Sequence, residues 1–151
     1  MKKIIVVCAA LLFLGGWGQA ALGDDSGFGF GVQTYLIMPH LSLKIPLTEE
    51  FGFQVMAFPW RMEDKDYSSY GARVIYRLSG WDQANFRAYT GWGMIWGEKE
   101  ATGYDTDAIL IFGIEQKKGL SEFAHSLEIG VNWDNGGDVY PVLNYGCHYY
   151  F

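Results

Sequence analysis

From residue 28 onward the chain alternates. Leu41, Leu43, Ile45 and Leu47 interleave with His40, Ser42, Lys44 and Pro46, and Ala72, Val74, Tyr76 and Leu78 interleave with Gly71, Arg73, Ile75 and Arg77. Farther on, Leu127, Ile129, Val131 and Trp133 alternate with Ser126, Glu128, Gly130 and Asn132. Successive side chains of an extended strand point to opposite faces, so each segment carries an apolar face and a face of polar or small residues. Eight segments share this format, at 28–36, 39–47, 51–60, 69–79, 85–96, 105–115, 122–133 and 139–151. No sustained helical period competes with them.

The segments are separated by polar turns that sort into two groups. Thr48 to Glu50, Ser79 to Gln83 and Gln116 to Ser121 fall on the side of the chain ends. Ile37 to Pro39, Arg61 to Ser68, Gly97 to Tyr104 and Asp134 to Asp138 fall on the other. Trp60, Trp96 and Trp133 stand near strand ends on that second side, with Tyr149 and Phe151 at the first, the places of two interfacial aromatic belts. An even number of tilted strands, each apolar on one face, predicts an all-β fold: an eight-stranded antiparallel transmembrane β-barrel with lipid outside and a narrow polar interior.

The residues before this region favour export. Lys2 and Lys3 precede an apolar run from Ile4 to Leu14, followed by small residues suited to cleavage after Ala20 or Gly23. The division expected is therefore a signal peptide at 1–23 and one barrel domain at 24–151. The domain keeps nine basic and seventeen acidic residues, a formal charge of 9 − 17 = −8. A nucleic-acid partner, which calls for clustered positive charge, is not expected. Only Cys147 remains in the domain, so it holds no internal disulfide, and the thiol reads as an inert apolar side chain.

If the apolar faces meet lipid, Lys44, Gln54, Arg73, Arg77, Arg87, Ser126, Glu128, Asn132, Asn144 and His148 face inward. Buried charges require opposite charges or hydrogen bonds. Glu128, the one clear carboxylate in the middle of this pattern, is expected to accept hydrogen bonds from one or more of Arg73, Arg77 and Arg87. Gly29, Gly31, Gly71, Gly91, Gly93, Gly130 and Gly146 recur on the inward set, where they give large side chains room to cross. The expected product is a polar plug, because side chains alone fill an eight-strand interior. His125 and Ser126 are neighbours on opposite faces and form no catalytic pair, although Ser126 and His148 could meet across the last strands. The three histidines show no metal spacing, and no cofactor is expected.

These features resemble the small bacterial outer-membrane β-barrel proteins, the group that includes the OmpA transmembrane domain and the OmpX-like proteins. The resemblance spans residues 28–151 and rests on the eight amphipathic segments, the glycine-rich start Phe28–Gly29–Phe30–Gly31–Val32 and the ending Tyr149–Tyr150–Phe151. It implies an outer-membrane monomer with both mature ends in the periplasm. Tyr149 and Phe151 would be read by the barrel-assembly machinery. Outer-membrane lipids are the implied surroundings, and a surface partner would meet the outer loops. Lipid A deacylases of similar plan carry a His/Ser pair on one strand face, which His125 and Ser126 do not reproduce. A structural or surface-interaction role is therefore expected. A lipid A-modifying enzyme, a narrow channel and a soluble periplasmic calyx with Leu41, Leu43 and Ile45 turned inward are the alternatives.

Overall fold

A computed structural model describes residues 27–35, 38–58, 68–81, 86–99, 103–117 and 122–151. Eight strands follow one another: β1 (Gly29–Tyr35), β2 (Met38–Pro46), β3 (Phe51–Phe58), β4 (Ser69–Arg77), β5 (Phe86–Lys99), β6 (Gly103–Lys117), β7 (Phe123–Trp133) and β8 (Val139–Tyr150). Each pairs antiparallel with its sequence neighbour, and β1 pairs with β8, so the sheet closes into a barrel in which every strand has two partners. The only other regular element among the described residues is a 3-10 turn at Ser79–Trp81.

The alternating segments coincide with the strands, and the main corrections fall at the turns. Gly97–Glu98–Lys99 and Gly103–Tyr104 do not form a loop; they extend the ladder of β5 and β6, whose last pair is Lys99 with Gly103. Gln116 and Lys117 likewise continue β6, and Met38 and Pro39 belong to β2. Backbone hydrogen bonding carried these strands past the point where their hydrophobic alternation fades. The expected signal peptide at 1–23, Trp60 and most of the Arg61 to Ser68 loop lie outside the described residues.

Two described turns show how local chemistry closes a hairpin. Thr48 Oγ1 accepts the amide of Phe51 at 2.9 Å, and the Leu47 amide donates to Phe51 O at 2.9 Å. Between β7 and β8, the Gly137 amide donates to Asp134 O while Gly137 takes a φ of 89°, a left-handed conformation that a side chain would strain. Asp134 Oδ1 accepts the Asp138 amide at 2.8 Å. That bond, assisted by the Tyr140 hydroxyl, holds the Asp134 carboxyl below the usual carboxylate range. A lowered folded pKa contributes order above the unfolded value and loses it as pH falls through the folded one. Amide exchange at Gly137 and Asp138, corrected for intrinsic rates, is therefore expected to accelerate below about pH 4. Asp134→Asn should remove that pH dependence.

The barrel inverts the usual distribution of polarity. Outward positions carry Val32, Leu41, Trp92, Leu110, Leu127, Ile129 and Leu143, with Ile129 58% and Leu143 65% exposed. Inward positions include Gln33, Ser42, Gln54, Arg73, Glu128, Asn144 and His148, each essentially inaccessible. An apolar subset, Tyr35, Met56, Tyr89, Ile95, Ile109, Ile111 and Val142, packs inside as well, with Ile75 against it. Lys44 is buried and Leu41 exposed, the reverse of the arrangement that a soluble apolar calyx requires.

Candidate functional site

The inward polar residues form three clusters stacked along the barrel. The middle cluster is centred on Glu128 of β7. Arg73 of β4 reaches across the lumen and donates through both terminal nitrogens, Nη1 to Oε2 at 2.9 Å and Nη2 to Oε1 at 2.5 Å. This two-bond fork fixes the planes of both groups and is among the strongest side-chain pairings. The Tyr89 hydroxyl donates to Oε1 at 2.6 Å, Gln33 Nε2 donates to Oε2 at 3.2 Å, and Asn144 is the register partner of Glu128 on β8.

Arg73 is anchored from behind. Its Nε donates to Gln54 Oε1 at 2.7 Å, Gln54 Nε2 donates to Ser42 Oγ at 2.5 Å, and His148 Nε2 lies 2.9 Å from the same oxygen. One connected network thus spans β1, β2, β3, β4, β5, β7 and β8. It crosses the ring at the level where Arg73 and Glu128 are fully enclosed, so a ligand path through the barrel would have to break their ion pair.

At the mouth holding the chain ends, Lys44 of β2 forms an ion pair with Glu115 of β6, and the Tyr150 hydroxyl lies 2.9 and 2.8 Å from the two carboxylate oxygens. Lys44 Nζ also sits 5.3 Å from the centre of the Tyr89 ring, a cation-π contact that links this cluster to the middle one. At the opposite mouth, Tyr35 and Asn132 both donate to Asp107 Oδ2, at 3.0 and 2.9 Å. His40 places Nδ1 3.0 Å from Met38 O and Nε2 2.7 Å from Ser69 Oγ.

The structure brings Gln54, Arg73, Glu128, Asn144 and His148 together in the middle, with Lys44 beside them. Of the three arginines from which Glu128 was expected to accept one or more hydrogen bonds, Arg73 donates to it, and Arg77 and Arg87 line the cavity at the chain-end mouth. Glu128 is the carboxylate of the middle cluster, and Glu115 and Asp107 add inward carboxylates at the two mouths. Ser126 is enclosed but its Oγ makes no protein hydrogen bond. The contact between Ser126 and His148 considered for an enzyme is not formed, because Ser126 pairs in register with Gly146 while His148 turns to Ser42.

His125 is on the outer face, 2.6 Å from the Tyr145 hydroxyl. Tyr149 packs its ring against Phe123 and Phe151, each with centroids 5.0 Å apart, and Phe151 is exposed with its amide bonded to Phe28 O. Cys147 is a free, partly exposed thiol. Among the described residues, no group of three His, Cys, Asp or Glu side chains is placed to hold a metal ion.

Comparison with protein-family models, curated proteins and solved structures finds no match.

Gln33, Tyr35, Ser69, Asp107 and Glu115 join the interior although the sequence pattern did not single them out as polar members, whereas His40 is buried on the polar face where the alternation put it. Gln33 was accessible to that reasoning, since it continues the Gly29, Gly31 row of β1. Asp107 and Glu115 were obscured because β6 is apolar on both faces between them.

Proposed function

We propose that this chain is a monomeric bacterial outer-membrane barrel with a structural or surface-interaction role, stabilised by its salt-bridged interior. The observation that carries this reading is the inversion of polarity: aliphatic and aromatic side chains cover the outside, while the Arg73–Glu128 network occupies the inside. Lipid has no hydrogen bonds to offer the backbone, and a closed sheet satisfies its own. The apolar run with Lys2 and Lys3 before it supports export. Tyr149 and Phe151 support recognition by the barrel-assembly machinery, with both mature ends periplasmic. In this orientation the Asp134 to Asp138 turn faces outward, where a surface partner would meet it.

A closed interior favours a structural element over a channel. Cells expressing the chain with its native signal should yield it in the outer-membrane fraction, extractable by detergent and migrating as a compact band before heating. Recovery as a soluble periplasmic protein would defeat the proposal. In planar bilayers the folded protein is expected to give no reproducible unitary conductance, and a steady conductance would replace the plug with a channel.

A further inference from the structure

Beyond the proposed role, and dependent only on the closed barrel, one stretch of the inner wall has the features of a site for a very small ligand. It lies where β8 runs between β1 and β7, with Gln33 paired to Gly146 and Gly146 paired in turn to Ser126. Gln33 and Ser126 are 0% and 1% exposed, yet Gln33 Oε1 and Ser126 Oγ have no hydrogen-bond partner in the protein. Buried polar atoms are rarely left in this condition, because each has given up the hydrogen bonds that bulk water offered it.

The two atoms converge on one place. A β-carbon on Gly146 would meet both Gln33 Oε1 and Ser126 Oγ, so it is the glycine that lets these side chains lean over β8 from its two flanks. The direction of the Gln33 carboxamide is fixed at its other end: Nε2 donates to Glu128 Oε2, and turning the amide over would set a carbonyl oxygen against a carboxylate. Oε1 is therefore an acceptor held above Gly146. Ser126 Oγ beside it is able both to donate and to accept, but the two are not bonded to each other. His148, the next inward residue of β8, adds a third enclosed atom without a partner, Nδ1, to the same wall.

The chemistry of the pair selects the ligand. An anion would meet the carbonyl oxygen of Gln33 with Glu128 close behind it. A metal cation calls for more ligands than two neutral oxygens. An apolar molecule would leave both atoms unsatisfied. Water donates to Oε1 and either gives or takes a hydrogen bond at Oγ, and enclosed polar sites of this kind hold it. We infer that a single sequestered water bridges Gln33 Oε1 and Ser126 Oγ above Gly146 and ties the first strand to the seventh across the last. Ser126, weighed above as a partner of His148, is then a water ligand.

The test uses the mature, isotope-labelled chain folded in deuterated detergent, with the compact gel band checked first. Water-selected Overhauser spectra of the unaltered barrel are expected to show water contacts at the Gly146 α-protons and the Ser126 β-protons, with the sign of a water that tumbles with the protein. G146A separates a bound water from a signal relayed by the exchanging Ser126 hydroxyl. Its β-carbon presses only on the ends of two side chains, which can turn aside, so the variant is expected to fold, to keep the hydroxyl and to lose the water contacts. Contacts absent from the unaltered barrel, or undiminished at Ser126 in compact G146A, would overturn the inference. If G146A is not compact, oxygen-17 relaxation of the solvent decides, because it senses water and not hydroxyl protons. S126A should then hold about one fewer long-lived water per barrel than the unaltered protein, and an equal number would overturn the inference.

Discussion

Glu128→Ala is expected to destabilise the barrel by about 3–5 kcal/mol, because it removes the acceptor of a buried ion pair and strands its partner. Arg73 would keep Gln54 but lose both bonds from its terminal nitrogens, and Tyr89 and Gln33 would lose the oxygens they donate to. The measurement is the urea midpoint of the compact band in matched detergent, supported by its melting temperature. Arg73→Ala and the double variant complete a thermodynamic cycle. The double variant should lose less than the sum of the two single changes, since the second removal no longer abandons a charge. Equal midpoints for wild type and Glu128→Ala would show that the network is not a source of stability.

Gly93→Val should be comparably severe for a steric reason. Gly93 faces its register partner Arg73, and a β-carbon there would press into Ala72 O and the α- and β-carbons of Arg73. These are backbone or backbone-proximal atoms, so the neighbouring strand must move and cannot yield by rotating a flexible tip. Overpacking of this kind costs about 1–3 kcal/mol or more. Here it also displaces the arginine that spans the lumen. Folded yield and urea midpoint are the readouts, with Gly80→Ala as the control because a β-carbon there meets nothing within 4 Å. A Gly93→Val barrel as stable as that control would sink the steric account.

The strands were legible because β2, β4 and β7 alternate cleanly, with Leu41/Leu43 against Ser42/Lys44 and Leu127/Ile129 against Ser126/Glu128. The same parity placed Lys44, Gln54, Arg73, Glu128, Asn144 and His148 inside. It could not rank the three arginines, because depth along a barrel depends on stagger between strands, and stagger is not written in a period of two. Arg77 lies four positions after Arg73 on the same face, which is enough to put the first on Glu128 and the second at the rim.

Strand β6 was ambiguous for another reason. Ile109 and Ile111 face inward while Leu110 and Phe112 face outward, so the hydrophobic pattern could not say which side was which, and the apolar part of the interior was missed. The Ser42–His148 and His40–Ser69 contacts join residues of different strands. They become visible only when the register is known.

The seam between β1 and β8 differs from every other junction in the barrel. The other seven link strands adjacent in sequence, whereas this one joins the two ends of the domain, with Thr34 and Tyr145 bonded across 111 positions. Its ladder runs from Gly29–Tyr150 only as far as Gln33–Gly146, against a β5–β6 ladder from Phe86–Gln116 to Lys99–Gly103. Local hairpins close cheaply, while a distant pairing must first overcome the entropy of the whole intervening chain. The expected order of assembly is an early β5–β6 hairpin and a β1–β8 seam that pairs last. Gln33, reaching from that seam to Glu128, makes the final closure and the completion of the interior network a single step.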